Sequence, residues 1–164
     1  MKIALATDHA GFEALKSLQV FLASQGHDCV NFGPEAYDSS DDYPDFIHPA
    51  AMAVAKGECE MGIVMGSSGQ GEAMAANRIS GIRAAVYYGP TTMMGAVDIE
   101  GNHAEDQFEI LRLSRQHNDA NILSLGARFL SKDDMLAAVN LWLKTEFSSD
   151  ERHKRRIKKI DEGA

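Results

Sequence analysis

The residues best suited to chemistry form one short run, Gly66-Ser67-Ser68-Gly69-Gln70-Gly71-Glu72, between an apolar stretch and a helical pattern of small residues. Glycines at 66, 69 and 71 let the backbone turn tightly and approach a ligand with no Cβ in the way. Several N–H groups can then converge on one anion, reinforced by the start of a helix. Ser67 and Ser68 add hydroxyl donors. The run is not a P-loop, because the Lys-Ser/Thr ending is missing, and it lacks the GxGxxG spacing of a dinucleotide fingerprint. Two anions suit such a nest, a substrate phosphate or an enediolate formed during reaction; a tight strand–helix turn with no ligand is the plainer alternative. Glu72 bears on the choice. In a first helical turn it could serve only the helix dipole, worth ~0.3–1 kcal/mol. Beside an anion hole it could instead take a proton from the carbon next to a carbonyl, while the hole stabilises the oxyanion that results.

Other polar residues cluster away from this loop. The stretch Glu151-Arg152-His153-Lys154-Arg155-Arg156 holds four of the sixteen Lys and Arg residues. On a helix Arg152 and Arg156 share a face, as a phosphate would require, although a solvated basic tail helix has the same pattern. Asp8-His9 directly follows an apolar run, and Ser114-Arg115-Gln116-His117-Asn118-Asp119-Ala120-Asn121 precedes another. The six histidines, at 9, 27, 48, 103, 117 and 153, show no HxH or HxxxH spacing, so no metal site is expected.

These residues need elements to hold them. The pattern predicts strands at 2–7, 28–32, 61–65, 84–88 and 122–125. Helices are expected at 12–22, from 43 or 44 to 56, from about 72, at 132–145 and at about 150–161. The Gly-, Pro-, Ser- and Asp-rich segment 33–44, with its acidic stretch 38–42, reads as a solvated loop. Strands separated by helices predict an α/β fold, a mostly parallel five-stranded sheet with helices on both faces. Ligands collect beyond the carboxyl ends of such strands, which selects the loops 8–11, 66–72 and 126–128.

Bulk properties set the limits. A chain of 164 residues suffices for one domain but divides poorly into two cores. A net charge of −8 argues against nucleic acid or an anionic membrane as partner. No apolar run approaches the ~20 residues of a membrane span. The charged start, with no signal-peptide core, leads us to expect a cytoplasmic protein whose Cys29 and Cys59 are reduced and structural.

The chain resembles the type B ribose-5-phosphate isomerases, a family that includes galactose-6-phosphate isomerase subunits and allose-6-phosphate isomerase. The resemblance rests on ATDHAGF at 6–12, DYPDF at 42–46, GIVMGSSGQGE at 62–72, AANRISGIRAA at 75–85, SRQHNDANILSLGAR at 114–128 and RHKRRI at 152–157. It implies one Rossmann-like three-layer αβα domain over 1–164, with a C-terminal helix. It also implies no metal or organic cofactor, and a homodimer or dimer of dimers with active sites shared between subunits. By similarity, Asp8 and His9 touch the sugar near its ring oxygen and hydroxyls, and Tyr43 lines the pocket. Ser68, with the backbone of Gly69, Gln70 and Gly71 and with Ser67 nearby, binds the reacting oxygens. His117 assists ring opening and Asn118 holds a hydroxyl. Arg128, Arg152 and Arg156 bind phosphate, with His153 close by. The expected substrate pair is ribose 5-phosphate and ribulose 5-phosphate; a hexose 6-phosphate, a tetrose 4-phosphate and a non-catalytic sugar-phosphate-binding module are the alternatives.

Two departures stand out. Part of the family uses a cysteine base immediately after the third strand, where this chain has Gly66; the resemblance is to the branch in which a glutamate closing the loop, here Glu72, is the base. The second is an insertion at about 89–107, Gly-punctuated, acidic and carrying methionines, which could be a surface loop, a lid or an interface element.

Overall fold

Five runs of four to six residues make the strands of one sheet. The computed structural model describes residues 1–97, 100–104 and 106–163. In chain order the elements are β1 (Lys2–Thr7), a 3-10 turn (His9–Gly11), α1 (Phe12–Ser24), β2 (Asp28–Asn31), α2 (Pro44–Ala55) and β3 (Met61–Gly66). They continue with α3 (Gln70–Ala76), β4 (Ala84–Tyr87), α4 (Glu109–Gln116), β5 (Ile122–Gly126), α5 (Lys132–Lys144) and α6 (Glu151–Asp161). Every strand pair is parallel, in the order β2-β1-β3-β5-β4, so the expected mostly parallel sheet is parallel at each pairing.

The central strands β1, β3 and β5 are buried on both faces, which is why their sequences run apolar without alternation. On one face Ile3, Leu5, Ile63, Met65, Leu123 and Leu125 pack against α1, α4 and α5. On the other, Ala4, Ala6, Val64 and Ile122 meet α2 and α3, whose contact residues are mostly alanines. The small side chains bring those helices close to the sheet. The chain leaves β1 towards β2 and returns to β3 on the other side, so the strand order reverses between β1 and β3. Doubly wound sheets open a crevice at such a point.

Helix α4 is absent from the pattern reading, in which only its last residues, 114–116, figure, as part of the polar run 114–121. Arg115 is nevertheless buried, its guanidinium donating to Asp119 Oδ1 at 2.7 Å and to the carbonyl of Ala120 at 2.6 Å. Pairing of this kind lets charged residues lie inside. The segment between β4 and α4 leaves the sheet and comes back: Thr91 N–H donates to Gln107 O at 3.0 Å, and Val97 N–H to Asn102 O at 2.8 Å. Met94 at its edge is 94% exposed. Positions 98, 99 and 105 of the expected insertion lie outside the described residues.

Trp142 is fully buried in the α5 layer, with Nε1 donating to Ser114 Oγ at 3.1 Å. Trp142→Ala is expected to cost about 3–5 kcal/mol. Urea unfolding followed by circular dichroism would read this as a lowered midpoint; fluorescence cannot serve, because Trp142 is the chain's one tryptophan.

Candidate active site

The loops after β3 and β5 are joined by their backbones. Ala127 N–H donates to Gly66 O at 2.9 Å and Arg128 N–H to Ser67 O at 3.2 Å, extending the ladder past the strands. The buried Ser124 hydroxyl donates to Gly69 O at 2.7 Å. Gly69 makes the approach possible: its φ is +76°, and a Cβ there would lie 2.9 Å from the carbonyl carbon of Leu125. Side chains rarely tolerate either condition. The loop thus follows a fixed path from β3 into α3, and Arg128 leaves β5 beside it.

That path carries Glu72 back over the end of β3. A Cβ built on Gly66 would overlap the Glu72 carboxyl group, so the carboxyl occupies the volume that a side chain at 66 would fill. Glu72 is only 4% exposed. Burial, the largest influence, raises its pKa; its own backbone N–H lowers it, and the neighbouring Asp8 raises it further. Asp8 is also buried and accepts from the Ala10 N–H at 2.9 Å. Tyr43, at the start of α2, lies so close to Gly71 that a Cβ there would approach its hydroxyl and ring to 2.8 Å. His9 follows Asp8, and its charge is influenced by Arg128. The switch point therefore gathers Asp8, His9, Tyr43, the whole loop from Ser67 to Glu72, and Arg128.

The remaining expected residues lie elsewhere. His117 caps α4 and Asn118 follows it, both preceding β5, whereas Arg128 comes after it. The length of β5, roughly 15 Å at ~3.3 Å per residue, separates the two groups. His117 stacks on His153 of α6, with ring centroids 4.2 Å apart and planes 12° from parallel. Arg152 Nε donates to His153 Nε2 at 3.1 Å. Burial, then the neighbouring His117 and Arg152, push the His153 imidazole below its usual pKa range, favouring the neutral ring that can accept this bond. Arg156 is exposed on the same helix. The expected site residues thus fall into two groups, one at each end of the sheet.

Sequence reasoning missed the residues that hold each group. Arg83 donates from Nε to Asn118 O at 3.0 Å and from Nη2 to Asp119 O at 3.0 Å. With Arg115 it clamps the turn carrying His117 and Asn118. Asp119 adopts φ +45°, an uncommon left-handed conformation for a residue other than glycine. Its place in the quoted HND motif is the only signal for this. At the other site the missed residue is Asp41, expected to be part of a solvated loop. It is hydrogen-bonded to His9, 32 residues away, and no local spacing could reveal that. Asp8, His9 and Asp41 also form a group whose potential metal-ligand atoms lie within 4.8 Å of one another. The His9 Nδ1 to Asp41 Oδ1 distance of 2.6 Å is that of a hydrogen bond; donors sharing an ion at ~2.1 Å sit ~3 Å or more apart.

A doubly wound parallel sheet with a desolvated acid, a glycine-rich loop and cationic side chains at its switch point defines an α/β protein suited to small anionic ligands and proton transfer. The chain belongs to the ribose/galactose isomerase family, whose model matches residues 3–103 and 103–160, two stretches that meet inside the segment between β4 and α4. Ribose-5-phosphate isomerase B of Mycolicibacterium paratuberculosis is 34% identical over 96% of this chain and 87% of its own. The Clostridium thermocellum ribose-5-phosphate isomerase B structure is 40% identical, with a TM-score of 0.84 over 99% of this chain and 96% of that one. The Mycoplasma genitalium ribose-5-phosphate isomerase B, solved with bound ribulose-5-phosphate, is 32% identical, with a TM-score of 0.84 over 99% and 95% of the two chains.

Gly66→Ala should expel the Glu72 carboxyl from its slot into water. A carboxyl carbon NMR titration would then show Glu72 ionising at lower pH than in the parent, since desolvation is what holds its pKa up; an unchanged titration would contradict the seating described above.

Proposed function

We infer that this chain is a ribose-5-phosphate isomerase of the cytoplasm, interconverting ribose 5-phosphate and ribulose 5-phosphate with Glu72 as the base. The observation that carries the reading is the Glu72 carboxyl, buried against Gly66 at the end of β3 and beside an amide-rich loop. A carboxylate with a raised pKa is a competent proton acceptor near neutrality and can return what it takes.

The chemistry balances without any external acceptor. In the open-chain aldose Glu72 removes the proton on C2, and the C–H electron pair becomes the C1–C2 double bond. The former C1 carbonyl becomes the charged oxygen of a cis-enediolate. Ser68 and the backbone N–H groups of Gly69, Gln70 and Gly71 stabilise that oxygen. The hydroxyl proton on O2 passes to O1 as the C2 carbonyl forms, and Glu72 delivers its proton to C1 on the same face. Hydrogen moves from one carbon to the next, so the overall reaction needs no redox cofactor. Asp8 and His9 hold the sugar, and Tyr43 walls the pocket. Arg128 meets the phosphate.

His117, which opens the ring, and Asn118, which holds a hydroxyl, come from a second copy in a homodimer or dimer of dimers. So do Arg152 and Arg156 at the phosphate, with His153 beside them. The two-ended layout of a single chain supports this division, because a symmetric pair can place one chain's β5 entrance against the other's β3 exit. With a net charge of −8 and no helix among the described residues long and apolar enough to cross a membrane, the partners proposed are the sugar phosphate and further copies of the chain, not nucleic acid or a bilayer.

Glu72→Gln is expected to lower kcat about 10²–10⁴-fold; turnover at the parental rate would end the assignment. The same variant should be more stable than the parent at neutral pH. A carboxyl whose folded pKa is raised contributes most below its unfolded pKa and loses that contribution as pH rises through the folded value, and glutamine does not ionise. Thermal melts across the acid-to-neutral range would show the two proteins diverging as pH rises. For shared sites, Glu72→Gln refolded with an equal amount of Arg152→Ala/Arg156→Ala should recover about a quarter of the parental activity through mixed symmetric dimers. No recovery would place both half-reactions in one chain.

A further inference from the structure

The acidic loop before α2 contains an arrangement that the proposed chemistry does not yet use. Asp41 reaches across to the end of β1 and takes two hydrogen bonds on one oxygen: from the His9 backbone N–H at 3.1 Å, and from the His9 ring at Nδ1, 2.6 Å away. Its side chain is 8% exposed, and its second oxygen, Oδ2, is buried with no protein partner. Such an orphaned carboxylate oxygen is costly to keep. A loop tether needs only an acceptor, which an asparagine or a backbone carbonyl supplies without the charge. A buried carboxylate at this point therefore has a reason beyond tethering, and His9 supplies one. The bond to Nδ1 fixes the ring and makes that nitrogen the donor, leaving Nε2 with no protein partner among the described residues.

The groups facing His9 reinforce this. Asp8 Oδ2 lies 3.9 Å from Nδ1, Asp38 in the same loop as Asp41 also acts on the ring, and Arg128 arrives from the end of β5. Tyr37 meets the ring edge-on, with centroids 6.2 Å apart. The hydrogen bond to Asp41 is the largest influence on the imidazole and raises its pKa; Asp8 adds to it, and Arg128 and partial burial oppose it. With three carboxylates against one guanidinium, the local balance favours imidazolium.

We propose that Asp41 is a positioning residue: it pins the His9 ring through Nδ1 so that His9 offers a fixed, positively charged Nε2–H to the anionic sugar phosphate beside Arg128. This rests on the isomerase reading for its substrate, and on the hydrogen bonds and facing charges at His9 for the dyad. Sequence reasoning placed His9 at the sugar hydroxyls; the dyad gives it a charge, and that charge suits the phosphate end.

The test uses Asp41→Asn, which retains an acceptor for both hydrogen bonds and removes only the charge. In the parent, nitrogen NMR of the ring should show His9 with Nδ1 protonated and a pKa above the ordinary imidazole value, and inorganic phosphate should shift the Nε2 signal. In Asp41→Asn the His9 pKa should fall towards that ordinary value. KM for ribose 5-phosphate and the inhibition constant for inorganic phosphate should each rise about tenfold near neutral pH, the difference between a charge-assisted and a neutral hydrogen bond. The effect should fall on KM rather than kcat, and it should fade below about pH 6, where an unassisted imidazole is protonated anyway.

Identical KM profiles for the two proteins between about pH 6 and pH 9, or a parental His9 that titrates normally and ignores phosphate, would overturn the proposal. If Asp41→Asn does not fold, the parental NMR measurement still decides. A parent that binds phosphate through His9 but fails to isomerise the sugar would remove the isomerase reading and leave the dyad standing.

Discussion

The structure depends on one close approach, that of the backbone leaving β3 to the backbone leaving β5. Two main-chain hydrogen bonds and the buried Ser124 hydroxyl hold these segments together beyond the sheet. Gly69 and Gly126 permit the contact, since a Cβ at either would lie within about 3 Å of the opposing chain. From this follow the sharp entry into α3, the return of Glu72 over Gly66 and the exit of Arg128 beside the loop. The acid lies in a low-dielectric slot because main chain, which cannot swing aside as a side chain can, forms its walls. Preorganisation here is a property of the sheet more than of the helix that carries the glutamate.

The parallel sheet imposes the second constraint. Loops that follow strands gather at the carboxyl ends of the strands and loops that precede them at the amino ends. Glu72 and Arg128 belong to the first group, His117 and Asn118 to the second. The chain invests in both ends: a carboxyl in a glycine slot at one, and at the other two arginines clamping a turn whose Asp119 is held at positive φ.

Much of this was legible in the sequence because the relevant signals are local. The strands β1, β3 and β5 are apolar runs, and the loops at 8–11, 66–72 and 126–128 follow from parallel topology alone. Helix α4 was not legible, because Glu109 and Arg115 are buried through ion pairs with Arg112 and Asp119, and a hydrophobic pattern cannot register charge compensation. Asp41 was not legible for a different reason. It sits among Asp38, Ser39, Ser40 and Asp42, and solvated acidic loops look the same. Only the fold brings it to His9. Likewise the glycine at 66 could be read as freedom of the backbone, whereas its use is to leave a space.

That space has a consequence for descent. A side chain at position 66 and the seated carboxyl of residue 72 claim the same volume, so a lineage that places its base at the strand end and one that places it on the helix cannot be joined by a chain carrying both in working position. Passage from one to the other crosses an intermediate whose acid is displaced or whose strand end is bare.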